Sequence, residues 1–126
     1  MPRGHGFGRG HGAGRRRIFF LESSLMVLLL REPGYGYSLM NGLKQFGFLT
    51  EQLDVSIIYR ALRDLEAQGL VSDSWDNNSL GPPRRIYTIT STGREALAGW
   101  MESLRENRKE IEALETAYDA AREQSQ

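Results

Sequence analysis

The stretch Asp54–Leu70, DVSIIYRALRDLEAQGL, decides how the rest of the chain is read. Ile58, Leu62 and Leu65 recur at i, i+4 and i+7, which places them on one face of a helix. Asp54 precedes the run as an N-cap, because its carboxylate can accept from the backbone N–H groups that a first helical turn leaves unpaired. Gly69 suits the left-handed residue that closes a helix. The opposite face carries Ser56, Ile57, Arg60 and Arg63. An apolar back with a donor-rich front fits a helix lying in a DNA major groove, and it also fits an ordinary amphipathic surface helix. The neighbouring elements separate these two readings.

Upstream, Ile18–Arg31 reads as a first helix, with Phe19, Leu21, Leu25, Val27, Leu28, Leu29 and Leu30 surrounding much of it. Such a helix must be covered on more than one side, by the domain core and by a partner subunit. The run is no signal peptide: Glu22-Ser23-Ser24 interrupts it, and Arg31-Glu32 ends it without a small-residue cleavage site. It is also too short to span a bilayer. Glu32-Pro33-Gly34 breaks the helix, and a second runs from about Tyr35 to Gly47 with Leu39, Met40, Leu43 and Phe46 facing inward. Two helices, a polar turn at Thr50-Glu51-Gln52 and a polar-fronted third helix follow the helix-turn-helix order.

Downstream, the periodicity changes to alternation over Leu70–Trp75 and Arg85–Thr90, with the turn-rich loop from Asp76 to Arg84 between them. A β-hairpin directly after such a helix is a wing, and Arg84 and Arg85 are placed to meet phosphate, the other reading being solvated edge charge. Thr92 with Glu95 forms a capping-box pattern that opens a last helix of about 30 residues, roughly 45 Å long. Leu97, Trp100, Leu104, Ile111, Leu114, Tyr118 and Ala121 follow steps of 3, 4, 7, 3, 4 and 3, a heptad seam with Asn107 at its vacant position. A small domain cannot cover a seam of that length, so the expected partner is a second copy of the helix in a homodimer. Leu25 of the first helix joins Leu97, Trp100, Leu104, Ile111, Leu114 and Tyr118 as expected dimerisation residues.

The chain has 126 residues, no cysteine and zero formal net charge. That length suggests one domain with a modest core. The lack of cysteine excludes disulfides and Cys-based zinc sites and is compatible with a cytoplasmic, nucleoid-associated protein. The charge is uneven. Residues 1–17 hold Arg3, Arg9, Arg15, Arg16 and Arg17 without an acid, whereas acids outnumber bases from Glu95 to Glu123. The Gly/Arg/His-rich arm 1–17 is expected to be disordered, serving either as a basic arm along DNA, with Arg15, Arg16 and Arg17 on phosphate, or as a solubilising tail. His5 and His11 on such an arm make a poor metal site. The expected organisation is the arm at 1–17, a winged helix-turn-helix domain at 18–91, a dimerisation helix at 92–122 and a tail at 123–126. The fold class is mainly α with a small β-hairpin, ending in a long coiled-coil-like helix.

The chain resembles the PadR-like transcriptional regulators, bacterial winged-helix dimers, over about residues 22–100. The resemblance rests on Gly36-Tyr37-Ser38-Leu39, on Ile58–Val71 (IYRALRDLEAQGLV) and on Gly81–Arg94 (GPPRRIYTITSTGR). The single C-terminal helix is similar to the smaller subgroup. Membership implies DNA binding as a dimer, repression, and release by a small molecule or signal. It places Tyr37 and Tyr59 near DNA, although Tyr59 serves packing equally well. Where the family often has Gly-Thr, this chain has Ser56-Ile57, so Ile57 meets a thymine methyl and makes no hydrogen bond to a base edge. Multidrug-sensing members carry a Trp near Trp100, which implies a planar aromatic effector held by Trp100, Leu97 and Leu104; core packing of Trp100 is the other reading.

The expected function is therefore a sequence-specific DNA-binding regulator, a repressor released by a small-molecule effector. Its partners are operator DNA, a second copy of itself and a planar aromatic molecule. The alternative is a winged-helix module that binds proteins and lacks specific DNA binding. No constrained acid–base pair, no phosphate-cradling turn between strand and helix and no metal cluster is found, so neither an enzyme nor a cofactor is expected.

Overall fold

The computed structural model describes residues 13–48, 53–77 and 81–125, with side chains from Arg17 onward. The elements are α1 (Ala13–Arg31), α2 (Gly36–Gly42), a 3₁₀ turn (Leu43–Phe46), α3 (Val55–Ala67), β1 (Val71–Asp76), β2 (Arg84–Ile89) and α4 (Ser91–Gln124). Mainly helical architecture with one antiparallel hairpin is what the sequence patterning predicts. Helix α1 begins at Ala13, not Ile18, so residues 13–17 belong to the helix and not to the arm. The expected metal-poor histidines His5 and His11, together with Arg3 and Arg9, lie outside the described residues.

Helix α1 is the central post. It touches α2, the 3₁₀ turn, α3, β2 and α4. Its Leu21, Leu25, Met26, Leu28 and Leu29 meet Leu39, Leu43, Ile58, Leu62, Leu65, Val71, Tyr87 and Leu97 in one core. This corrects the reading of Leu25 and Leu97 as dimer contacts. Leu25 is wholly buried and Leu97 is 3 % exposed within a single chain, so neither offers surface to a partner. The apolar wrap of α1 is consumed largely by its own domain; Ile18, Phe20 and Leu30 are the large apolar side chains of this helix that stay exposed.

Local chemistry sets both ends of α3. The Asp54 carboxylate accepts from the Ser56 N–H at 3.1 Å, as an N-cap should. At the far end, Gly69 N–H donates to Glu66 O and Leu70 N–H to Leu65 O, with Gly69 at φ +78°. That is the paired closure which a left-handed glycine permits. The second helix is shorter than its apolar spacing suggests, because after Gly42 the chain tightens into the 3₁₀ turn that seats Leu43 in the core.

The hairpin pairs Val71 with Ile89 through to Asp76 with Arg84. Gly34, just after α1, bonds to Tyr87 in both directions (3.1 and 2.8 Å), which ties the base of the hairpin to the first helix. Helix α4 is capped by Thr90, two residues earlier than the Thr92 of the predicted capping box. Thr90 Oγ1 accepts from Gly93 N–H at 2.9 Å and reaches the carbonyls of Gly69 (2.7 Å) and Leu70 (3.1 Å). One hydroxyl thus joins the end of α3 to the start of α4. A Cβ at Gly93 would collide with the Leu70 carbonyl oxygen, so the two chain segments meet where only glycine fits.

Candidate nucleic-acid interface

Because Ile58, Ala61, Leu62 and Leu65 point into the core, the 3.6-residue period turns Ser56, Ile57, Arg60 and Arg63 outward. All four are exposed, and Ile57 keeps 41 % of its surface open to solvent. Neither Arg60 nor Arg63 is in an ion pair with another described residue. Two guanidinium groups, three and six residues on from the apolar Ile57, offer base-edge donors beside a methyl contact.

The wing lies beside this helix. A groove of about 470 Å³ runs between them, lined by Tyr35 and Tyr37 from the start of α2, Tyr59 and Arg63 from α3, and Trp75, Arg84, Arg85 and Tyr87 from the hairpin. Tyr37 is 62 % exposed at its edge. Tyr59 is half-buried against Gly36, where an added Cβ would sit 2.5 Å from its ring and hydroxyl. Packing against α2 is therefore a role Tyr59 already fills.

Arg84 and Arg85 lie on β2 itself and are not free at the loop tip. Arg84 is 3.7 Å from Asp76 and stacks 4.0 Å above the Tyr35 ring. Arg85 is 3.1 Å from Asp73 and lies 4.9 Å above Trp75. Glu66 at the end of α3 joins this cluster: its hydrogen bond with Asp73, burial and the Asp73 charge raise its carboxyl above the ordinary glutamate range, while Arg85 pulls it down. Burial likewise raises the Tyr87 hydroxyl, opposed by its hydrogen bond from Arg85. Sequence reasoning missed Tyr35, Trp75, Asp73 and Asp76. The signal was present as two acids on the strand facing two arginines, but it needs the hairpin register to be read. Of the arm arginines, Arg15–Arg17 fall in the first turns of α1, and Arg17 is exposed.

The remaining predicted residues sit at the opposite end. Trp100 packs on Phe19 of its own chain, ring centroids 5.4 Å apart and tilted by 58°. An open cavity of about 810 Å³ lies between α1 and α4, with Phe19, Phe20, Phe48 and Leu104 as its apolar wall and Arg17, Glu102, Glu106 and Glu110 as its charged lining. Of the predicted effector residues Trp100, Leu97 and Leu104, only Leu104 lines it; Leu97 is in the core and the Trp100 ring faces α1. Farther along α4, Ile111, Leu114 and Tyr118 are 49, 71 and 61 % exposed, a bare apolar stripe. Among the described residues no group of His, Cys, Asp and Glu is arranged to hold a metal, and no helix is long and apolar enough to cross a membrane.

A helix-turn-helix with an exposed third helix, a flanking two-stranded wing and a long terminal helix defines a winged helix-turn-helix protein. The model of the transcriptional regulator PadR-like family matches residues 25–99. The chain belongs to this family of DNA-binding transcriptional regulators. Among solved structures it is similar to a PadR-like transcription factor from Bacteroides fragilis, with 26 % identity, 81 % of this chain and 96 % of that chain covered, and a TM-score of 0.69. A PadR-like transcriptional regulator from Bacillus cereus gives 29 % identity over 75 % and 89 % of the two chains, with a TM-score of 0.65. A conserved protein of unknown function, described as a potential transcriptional factor, gives 34 % identity over 95 % and 97 %, with a TM-score of 0.71. Comparison with curated proteins finds no match.

Proposed function

We propose that the protein is a sequence-specific repressor that binds operator DNA as a homodimer and is released by a small molecule. The observation that carries this reading is the outward face of α3, where exposed Ile57 lies on one face with Ser56, Arg60 and Arg63, the arginines forming no ion pair among the described residues. In this reading Ser56, Ile57 and Arg60 meet base edges in the major groove. Arg63, Tyr37 and the wing residues Arg84 and Arg85 meet the flanking backbone, whereas Arg17, at the start of α1, lines the cavity beside α4 and takes no part in this contact. The bare stripe Ile111, Leu114 and Tyr118 on α4, continued by the half-buried Leu104, takes a second copy, placing two α3 helices on a two-fold operator.

The effector belongs in the cavity between α1 and α4. Its phenylalanine wall suits a planar aromatic molecule, and three glutamates against the single Arg17 leave the lining with a net negative charge that favours a cationic one. A ligand that binds the DNA-free spacing more tightly shifts the pair of α3 helices away from two successive grooves.

The test is selection of bound fragments from the host genome, followed by affinity measurement on the recovered duplex. An inverted repeat is expected. Ile57→Ala should change the preference among recovered sequences. Arg84→Ala with Arg85→Ala should weaken binding to every duplex and flatten the salt dependence by about one unit per lost contact. Recovery of fragments with no shared sequence would refute specific reading and leave the protein-interaction module.

A further inference from the structure

We propose that Asp73 and Asp76 govern the wing's engagement with DNA, by holding Arg84 and Arg85 in ion pairs that only a well-placed phosphate displaces. The inference rests on the reading of these arginines as backbone contacts and adds what restrains them. In the hairpin register Asp76 stands directly opposite Arg84, while Asp73 lies diagonally across from Arg85, itself opposite Trp75. The pairs close at 3.7 Å and 3.1 Å. Tyr35 and Trp75 lie beneath the guanidinium planes, so each arginine is held by a ring face and a carboxylate together.

The consequence is electrical. From Val71 to Ile89 the charged residues are Asp73, Asp76, Arg84 and Arg85, two acids and two bases, so the wing has no net charge. An unrestrained pair of arginines would bind the backbone of any duplex, because phosphate contacts carry no sequence information. A neutral wing gains nothing from DNA until phosphate replaces carboxylate. That exchange is accessible: the four side chains are 20 to 42 % exposed, and ion pairs open to solvent are weak. Phosphate oxygens also accept from a guanidinium in the same forked geometry as a carboxylate.

The exchange has a threshold. Once Arg85 leaves, the carboxylates of Asp73 and of Glu66 on α3 lose the positive charge that now offsets their mutual repulsion. The phosphate must therefore be presented well enough to outweigh the two carboxylates it approaches. A duplex held in register by Ser56, Ile57 and Arg60 presents it so; a duplex lying at random on the surface does not. Specificity arises here from a repulsive element against wrong partners. Arg60 and Arg63, which form no ion pair among the described residues, remain available for the first encounter.

The test compares full-length wild type, Asp73→Asn/Asp76→Asn, Asp73→Glu/Asp76→Glu and Arg84→Ala/Arg85→Ala. Each is titrated against a labelled mixed-sequence duplex and against the duplex recovered by genomic selection, over a series of salt concentrations. The amide variant should bind the mixed duplex on the order of tenfold more tightly at low salt, with a salt slope steeper by up to about two units. Its preference for the recovered duplex should fall. The glutamate variant retains the charge and should behave as wild type. Should the amide variant bind no more tightly while the alanine variant binds more weakly, the clasp is refuted and the wing contact stands. Should the alanine variant bind as wild type, the wing contact and the clasp both fail, since arginines that never reach DNA need no restraint. Tightening in the glutamate variant as well as the amide would refute a charge effect. If the double amide melts below assay temperature, the same comparison is read from Asp76→Asn at the open end of the hairpin.

Discussion

Glu22 sits half-buried on α1 with Asp64 of α3 near it, and both conditions act on its carboxyl in the same direction. Burial raises it above the ordinary glutamate range, and the Asp64 charge adds to this. The charged form is therefore less favourable in the folded chain than in the unfolded one. The penalty is absent below the ordinary glutamate value, grows as pH rises from there through the raised folded value, and is constant above it. Glu22→Gln should thus melt higher than wild type at neutral pH. The gain should be below about 1 kcal/mol for a group so open to solvent screening, and should vanish in acid. Thermal melts from pH 3 to 8 check this; a gain independent of pH would show that ionisation is not its cause. At this scale the sequence was partly legible. Asp54 and Gly69 act through their own backbone neighbours and could be assigned from spacing alone. The state of Glu22 depends on a helix more than thirty residues away, and no local pattern announces it.

The junction between α3 and α4 is where element boundaries are decided. Thr90 caps α4, accepts from Gly93 and reaches back to the last carbonyls beyond α3. By helix propensity alone, Gly93→Ala should stabilise the first turn of α4 by roughly 1 kcal/mol. Contact with the Leu70 carbonyl reverses the sign: the new Cβ has no room, and a backbone shift at this joint should cost about 1–3 kcal/mol. Urea denaturation measures the difference, and an alanine variant as stable as wild type would show that the joint relaxes freely. Thr92 with Glu95 satisfied the same local pattern as a genuine capping box. It lost to Thr90, whose hydroxyl is met by the Gly69 and Leu70 carbonyls of the connection between α3 and β1. The hairpin was legible as two alternating runs, and its strands fall within one residue of the alternation. Its ion pairs were not legible, since Asp73 and Asp76 meet Arg85 and Arg84 only through the register.

For the molecule as a whole, the DNA face and the bare stripe of α4 lie at opposite ends of a post formed by α1. Helix α4 spans 34 residues, about 50 Å, and beyond Leu104 its side chains no longer touch the domain core. In the proposed dimer each seam substitution is met twice across the two-fold axis. Ile111→Asp or Leu114→Asp should then raise the dimer dissociation constant by at least about 100-fold, since losing one buried aliphatic side chain per subunit removes roughly 3 kcal/mol or more in total. Sedimentation equilibrium reads this directly. An intact dimer in both variants would move the interface to the cavity rim and the exposed Ile18, Phe20 and Leu30 of α1. Operator affinity should fall with dimerisation, while the melting temperature of the winged domain stays near wild type.

The sequence by itself determined the order and kind of the elements and the outward face of α3. Capping, the 3.6-residue period and strand alternation are local, and each is written within a dozen residues. It also carried the family, through the Ile58–Val71 and Gly81–Arg94 segments. Only the tertiary structure decided which apolar residues serve the core and which stay bare. Leu97 fits the seam by spacing, yet it is buried with Leu25 where α4 packs on α1, whereas Ile111 and Leu114, farther along the same seam, are exposed. It also decided that Trp100 rests on Phe19 and that the wing arginines are paired. Spacing along a helix states which side chains share a face; what stands opposite that face depends on how the elements pack in space.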